Sequence, residues 1–358
     1  MSKIGFRPLV FPKDVSCHNA VIEWWYFNGH LKTNSGKEFV FMQCFFKADP
    51  KKVDLPLADK LPVDNFYFSH SLVTDISRKI FRPSVYLYPE LDRDSFKKRR
   101  LFIKAGEDFV FKNTKDDEYF LQTSDLDLKL ISKKDPLLVD GRGWIDLGIK
   151  DTYYFSFTDM EANGKIKTKD GFESVSGRVW MDRQWSNDGY HPEDKWTWFS
   201  LQLENGMDIL CFEYGDKQKT RSATFYLPNG KQGSTRSVFF KPLGKIWKSS
   251  ETKAVYELEW LIEIPELNLK IKTKPKNLNQ EIIFGNINYW EGGLAIVAEL
   301  DGKKIKGVGF LEILGVPMHK SLAKIYLDKG RSLVKNPELL KKYFQQGKEF
   351  VFSRIFRP

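Results

Sequence analysis

Apolar and polar residues alternate at period two along most of the chain, and Gly, Asn and Asp break the alternation at short intervals. That period sends successive side chains to opposite faces, which is the pattern of β-strands. Val21 to Lys32 reads as a strand, Asn34-Ser35-Gly36 as a turn, and Glu38 to Phe46 as the returning strand. Trp196 to Glu204, Asn205-Gly206 and Met207 to Tyr214 form the clearest hairpin, because Asn-Gly suits a two-residue turn with positive φ. Asn163-Gly164, Asp170-Gly171, Asn229-Gly230 and Asp301-Gly302 mark further hairpins. One segment reads as helix, near 337–346: Asn336 caps it, Pro337 opens it and Gly347 closes it. The expected class is all-β with a short C-terminal helix.

Two patterns recur. Trp24, Tyr26, Phe27 and Leu31 match Trp196, Trp198, Phe199 and Leu203 at identical spacing. Gly177-Arg178-Val179-Trp180-Met181-Asp182 matches Gly307-Val308-Gly309-Phe310-Leu311-Glu312 in type. The expectation is a duplicated antiparallel barrel, 1–192 and 193–358, joined near Gly189 to Asp194.

The strand from Glu38 is apolar on both faces, with Phe39, Phe41, Gln43 and Phe45 on one and Val40, Met42, Cys44 and Phe46 on the other. Either a second domain covers the barrel wall, or one face lines an apolar cavity while the other packs. For the Trp196 hairpin, a two-residue loop sets Trp198 opposite Glu213 and Phe199 opposite Phe212. One face then carries Trp196, Trp198, Ser200, Gln202, Ile209, Cys211 and Glu213, a pocket wall or a domain interface. A carboxyl set against indole is pushed toward its protonated form, able to donate a proton. Glu213 is thus one candidate acid, the alternative being a rim acid paired with Lys or Arg. Glu23, sharing parity with Trp25, is a second. Asp182 is a third catalytic candidate: its neighbours Arg183 and Gln184 suggest a hydrogen-bonded, ionised carboxylate at a strand end that orients water, the alternative being a turn cap. Trp24, Trp25, Tyr26, His70, Tyr154, Trp185, Trp196 and Trp198 complete the candidate ligand-binding set. Glu291 and Glu312 read as structural.

The chain has 358 residues, of which 15 % are aromatic, so much ring surface must be buried in a core or around a ligand. Its net charge is +10, but the basic residues are scattered except for Lys97-Lys98-Arg99-Arg100, either a solvated loop or a phosphate or membrane contact. Nucleic-acid binding has only net charge in its favour. Cys17, Cys44 and Cys211 show no paired spacing, which points to reduced thiols and a cytoplasmic setting. No signal peptide or membrane-spanning stretch is expected. The histidines 18, 30, 70, 191 and 319 make no metal-ligand spacing, and nucleotide and phosphate-loop fingerprints are missing. No metal or cofactor is expected.

Glu23-Trp24-Trp25-Tyr26-Phe27-Asn28-Gly29-His30-Leu31 resembles the N-terminal signature of the AttH-like and carotenoid 1,2-hydratase proteins. Ser176-Gly177-Arg178-Val179-Trp180-Met181-Asp182-Arg183-Gln184-Trp185 resembles the signature closing their first domain. Tyr289-Trp290-Glu291-Gly292 and Gly307 to Glu312 resemble motifs of their second. The resemblance implies two tandem lipocalin-like barrels around a ligand cavity, with an apolar isoprenoid, polyene or lipid as partner. It also implies cofactor-free chemistry on alkenes, hydration or cyclisation, with a carrier as the non-catalytic alternative. The hydratases use a His in the segment matching Arg183, where this chain departs from the pattern, and an acid in the hairpin near Glu213.

Overall fold

A computed structural model of the chain describes residues 5–49, 51–52, 65–89, 101–105, 108–112, 118–148, 150–189, 194–284 and 287–315. The segments 97–100 and 336–347, which carry the basic run and the expected helix, lie outside the described residues, as do His191 and His319. Within them the regular structure is almost entirely antiparallel β, with short 3₁₀ turns such as Lys13–Val15.

Two large sheets account for nearly every strand. In the first, Ile22–Thr33 lies between Glu38–Ala48 and Gly171–Ser186, and Asp151–Thr168 follows on the far side. In the second, Trp196–Leu203 lies between Asp208–Tyr214 and Lys303–Leu314, followed by Ile287–Leu300. The aromatic strand of each sequence repeat therefore holds the same place in its sheet. Each is paired with the Gly-x-x-aromatic-apolar-acid strand of its own half. The fold class read from the sequence holds for the described residues.

Strand parity divides the side chains among three apolar clusters. Trp25, Phe27, Phe41, Phe45 and Met181 fill the core of the first sheet. Phe199, Leu201, Ile209, Cys211 and Leu311 fill that of the second. Tyr26, Met42, Cys44, Trp180, Trp198, Leu210, Phe212 and Phe310 form a third cluster where the sheets meet. This resolves the doubly apolar strand: the odd residues of Glu38–Ala48 face their own core and the even ones face the other sheet. Each large ring so buried stabilises the fold by roughly 1.5–3 kcal/mol.

Two turn expectations need correction. Asn163-Gly164 is no hairpin but the middle of the long strand Asp151–Thr168. A Cβ on Gly164 would lie 2.0 Å from the Asp127 carbonyl, so glycine is there for close strand approach. In the Trp196 hairpin only Gly206 has positive φ, and Leu203 closes onto Met207 across a three-residue loop. Contrast Asp301-Gly302, where both residues have positive φ and the loop has two residues. The extra loop residue shifts the register by one: Trp198 pairs with Phe212 and Phe199 with Cys211. Glu213 pairs with Thr197 instead, on the opposite face from Trp198.

Candidate active site

The cavity between the sheets has a volume of about 240 Å³ and draws its walls from both. From the first sheet come Trp24, Tyr26, Phe46, Phe68, His70, Tyr154 and Asp182; from the second come Trp196, Trp198, Phe212, Phe284, Tyr289 and Glu312. Phe46, Phe68 and Phe284 stack in near-parallel steps of 4.5 and 5.0 Å, making one wall purely apolar. His70 tilts against that stack and shares a 2.5 Å hydrogen bond with the Tyr289 hydroxyl. Lys150, paired with Asp194 at 2.7 Å, and Asp188 add charge to the lining.

Besides Asp188 and Asp194, two further carboxyls line this space, one from each sheet. Asp182 lies across from Tyr26 in the first sheet, and Glu312 lies across from Trp198 in the second. They are the terminal acids of the repeated motif, placed at equivalent positions on the two walls. Asp182 accepts hydrogen bonds from Ser156 (2.5 Å), Trp180 Nε1 (2.6 Å) and the Tyr154 hydroxyl. The Trp198 indole N–H, from the second sheet, donates in turn to Tyr154 over 2.7 Å. Burial, assisted by the charge of Glu312, outweighs those hydrogen bonds and raises Asp182 to about 7. Glu312 is also raised by burial, against hydrogen bonds from Glu291 and the Trp196 indole. Near neutrality the site can therefore hold one carboxyl as an acid while another serves as a base.

Of the sequence-derived candidates, Trp24, Tyr26, His70, Tyr154, Asp182, Trp196 and Trp198 meet in this cavity. Trp25 and Trp185 do not, since their parity turns them into the first sheet's own core. Glu23 faces the same way and joins a buried ion cluster with Arg183, with Lys47 at 2.8 Å, and with the His18 backbone N–H at 3.0 Å. Burial pushes its carboxyl up, but Arg183, His18 and Lys47 outweigh burial and bring it down to about 2. It is a fixed anion without a proton to give. The Arg183 guanidinium lies 3.9 Å over the Trp25 ring, filling the place where the resemblance expects His. Glu213 is bound by Lys219 at 2.5 Å and Arg221 at 2.6 Å, which against partial burial hold it below its ordinary value. The acid expected there is a rim ion pair outside the cavity, because the register differs by one residue. His30 is buried between the sheets, donating through Nε2 to the Gly309 carbonyl at 2.9 Å. Burial lowers it to about 3.

Sequence reasoning missed Glu312, Tyr289 and the phenylalanine stack. Glu312 was legible, as the counterpart of Asp182 in the repeat. The phenylalanines were not, since no local pattern says which strands face each other across a sheet interface. Among the described residues no group of His, Cys, Asp and Glu could hold a metal ion.

Fold and cavity together define a double-sheet protein that encloses a small acid-bearing aromatic chamber between its halves. The AttH-like family model matches residues 4–316, and the chain belongs to that family. A Nitrosomonas europaea protein assigned to AttH superposes with a TM-score of 0.77 at 23 % identity, over 88 % of this chain and 100 % of that one. Kievitone hydratase from Nectria haematococca superposes with a TM-score of 0.72 at 17 % identity, over 87 % of this chain and 94 % of that one. Dehydratase asqC of Emericella nidulans is 25 % identical over 202 residues, 52 % of this chain. The match spans 57 % of that enzyme's length.

Proposed function

We propose that the chain is a cofactor-independent hydro-lyase that adds water to, or removes it from, an apolar alkene-bearing small molecule held between the sheets. The observation that carries this reading is the pair Asp182 and Glu312, the first buried and the second half-buried, at equivalent places on facing walls of one aromatic cavity. In hydration, protonated Asp182 delivers its proton to one alkene carbon while a water attacks the other. Glu312 accepts the proton that this water loses. The indoles of Trp24 and Trp198 and the phenol of Tyr26 bound the chamber where positive charge would develop, and ring faces favour such charge. Dehydration runs the same path backwards. The names of two relatives, a hydratase and a dehydratase, agree with chemistry on water in either direction.

The substrate class we propose is an isoprenoid or polyene, because the Phe46, Phe68 and Phe284 stack offers a flat apolar wall without hydrogen-bonding demand. We further propose a cytoplasmic setting, which suits the buried free thiols of Cys44 and Cys211. No helix among the described residues is long and apolar enough to cross a membrane. Incubating purified protein with a panel of prenylated and polyene alkenes, and with the matching alcohols, tests the reading by mass spectrometry. Gain or loss of one water, slowed by about 10²–10⁴-fold in Asp182→Asn, is the expected result. A ligand that binds and is recovered unchanged from every incubation would make the protein a carrier instead.

A further inference from the structure

Glu291 lies on Ile287–Leu300 directly across from Glu312, but it is fully buried and not part of the cavity wall. Its backbone is fixed by Gln280, which accepts from the Glu291 N–H at 3.0 Å and donates to its carbonyl at 2.7 Å. The Tyr26 hydroxyl donates to Glu291 Oε1 over 2.5 Å. Oε2 is buried and receives no donor among the described residues, and the Glu291 side chain lies within hydrogen-bonding reach of the Glu312 carboxyl on the paired strand. Lys, Arg and His form no ion pair with either glutamate among the described residues. Two carboxyls in hydrogen-bonding contact without a cation cannot both be ionised, so one proton sits between them. Glu312 opens onto the cavity and takes the Trp196 indole N–H, whereas Glu291 is sealed from it. Charge is therefore better tolerated on Glu312.

We propose that Glu291 is a positioning residue: wedged between the Tyr26 hydroxyl and the Glu312 carboxyl, it keeps a proton at neutral pH and donates it to Glu312. On the proposed hydration reading, that hydrogen bond is what fixes Glu312 as the base and leaves the acid's part to Asp182. Burial and the charge of Glu312 together raise Glu291 well above the ordinary carboxyl range, in line with the geometry.

Two measurements test this without any substrate, so their failure is separate from failure of the hydro-lyase reading. At about pH 9, where a group near 7 is ionised, the wild-type infrared spectrum should keep one protonated-carboxyl C=O band, and Glu291→Gln should remove it. The Trp196 indole ¹H–¹⁵N resonance, assigned by its loss in Trp196→Phe, reports ionisation of Glu312 through their hydrogen bond. Its titration midpoint should rise by about one pH unit or more in Glu291→Leu, which loses the donor, and return toward wild type in Glu291→Gln. A band that survives Glu291→Gln overturns the proposal, as does a Trp196 midpoint equal in all three proteins. If Glu291→Leu does not fold, the infrared comparison with Glu291→Gln still decides.

Discussion

Trp198, on the second sheet, donates its indole N–H to the hydroxyl of Tyr154, on the first, and that hydroxyl donates to Asp182. One hydrogen-bonded chain thus crosses the sheet interface and ends on the candidate acid. Trp198→Phe keeps the ring but removes the first donor. Tyr154 should then donate less strongly, since linked hydrogen bonds polarise one another. The alkaline limb of the pH–rate profile should move to higher pH, with a stability loss of about 1–2 kcal/mol by denaturant unfolding. An unmoved limb would mean that the chain is only a structural link.

Asp182 is raised from 3.8 to about 7 by burial, so it costs the fold stability once it ionises. The folded state binds this proton more tightly than the unfolded chain does. Below about pH 4 both states are protonated and the cost is nil; it grows through the interval and is complete above about pH 7. Asp182→Asn should therefore lower turnover by about 10²–10⁴-fold and yet stabilise the protein at about pH 8, by up to about 4 kcal/mol, with little gain at about pH 4. Thermal melts of both proteins across that range check it. Equal melting differences at both ends would place the ordinary ionisation at Asp182.

The Glu23–Arg183 pair should behave in the opposite sense. Its carboxyl is lowered from 4.5 to about 2, so its contribution is present above pH 4.5 and lost as the pH falls through about 2. Arg183→Met leaves buried Glu23 with only Lys47 and His18 as partners and should destabilise by about 3–5 kcal/mol near neutrality. The protein should still bind its apolar ligand in the separate cavity once folded. Loss of binding without loss of stability would join the two clusters functionally.

Glu213 gives a control. Held outside the cavity by Lys219 and Arg221, it should tolerate Glu213→Gln with turnover within about twofold and stability within about 1 kcal/mol of wild type. A large loss of turnover would restore it as an acid of the site.

What the sequence disclosed follows from what period two can carry. The all-β class and the duplicated aromatic and acid-ended strands were legible, and so was the placement of Trp24, Tyr26, Trp196 and Trp198 on one kind of face. Asp182 was singled out by its Arg and Gln neighbours, but as an ionised group, whereas burial raises it to about 7; Glu312, its counterpart in the repeat, was read as structural. Glu213 shows the limit. Asn205-Gly206 fits a loop of two residues or of three, and that one residue decides which face Glu213 takes. The lone Glu23 was misassigned for a second reason: its partners Arg183 and Lys47 come from other strands. The apolar Phe46, Phe68 and Phe284 wall depends on how two sheets meet, which no local pattern encodes.

The most direct test is steady-state turnover of an alkene substrate by Asp182→Asn, Glu312→Gln and Glu213→Gln in parallel. A substrate that gains or loses water with the wild type serves for all three. The first two variants should each lower kcat by about 10²–10⁴-fold, the usual worth of a positioned acid or base, while the third stays near wild type. Full activity in Asp182→Asn and Glu312→Gln would contradict the assignment of acid and base to the two facing walls.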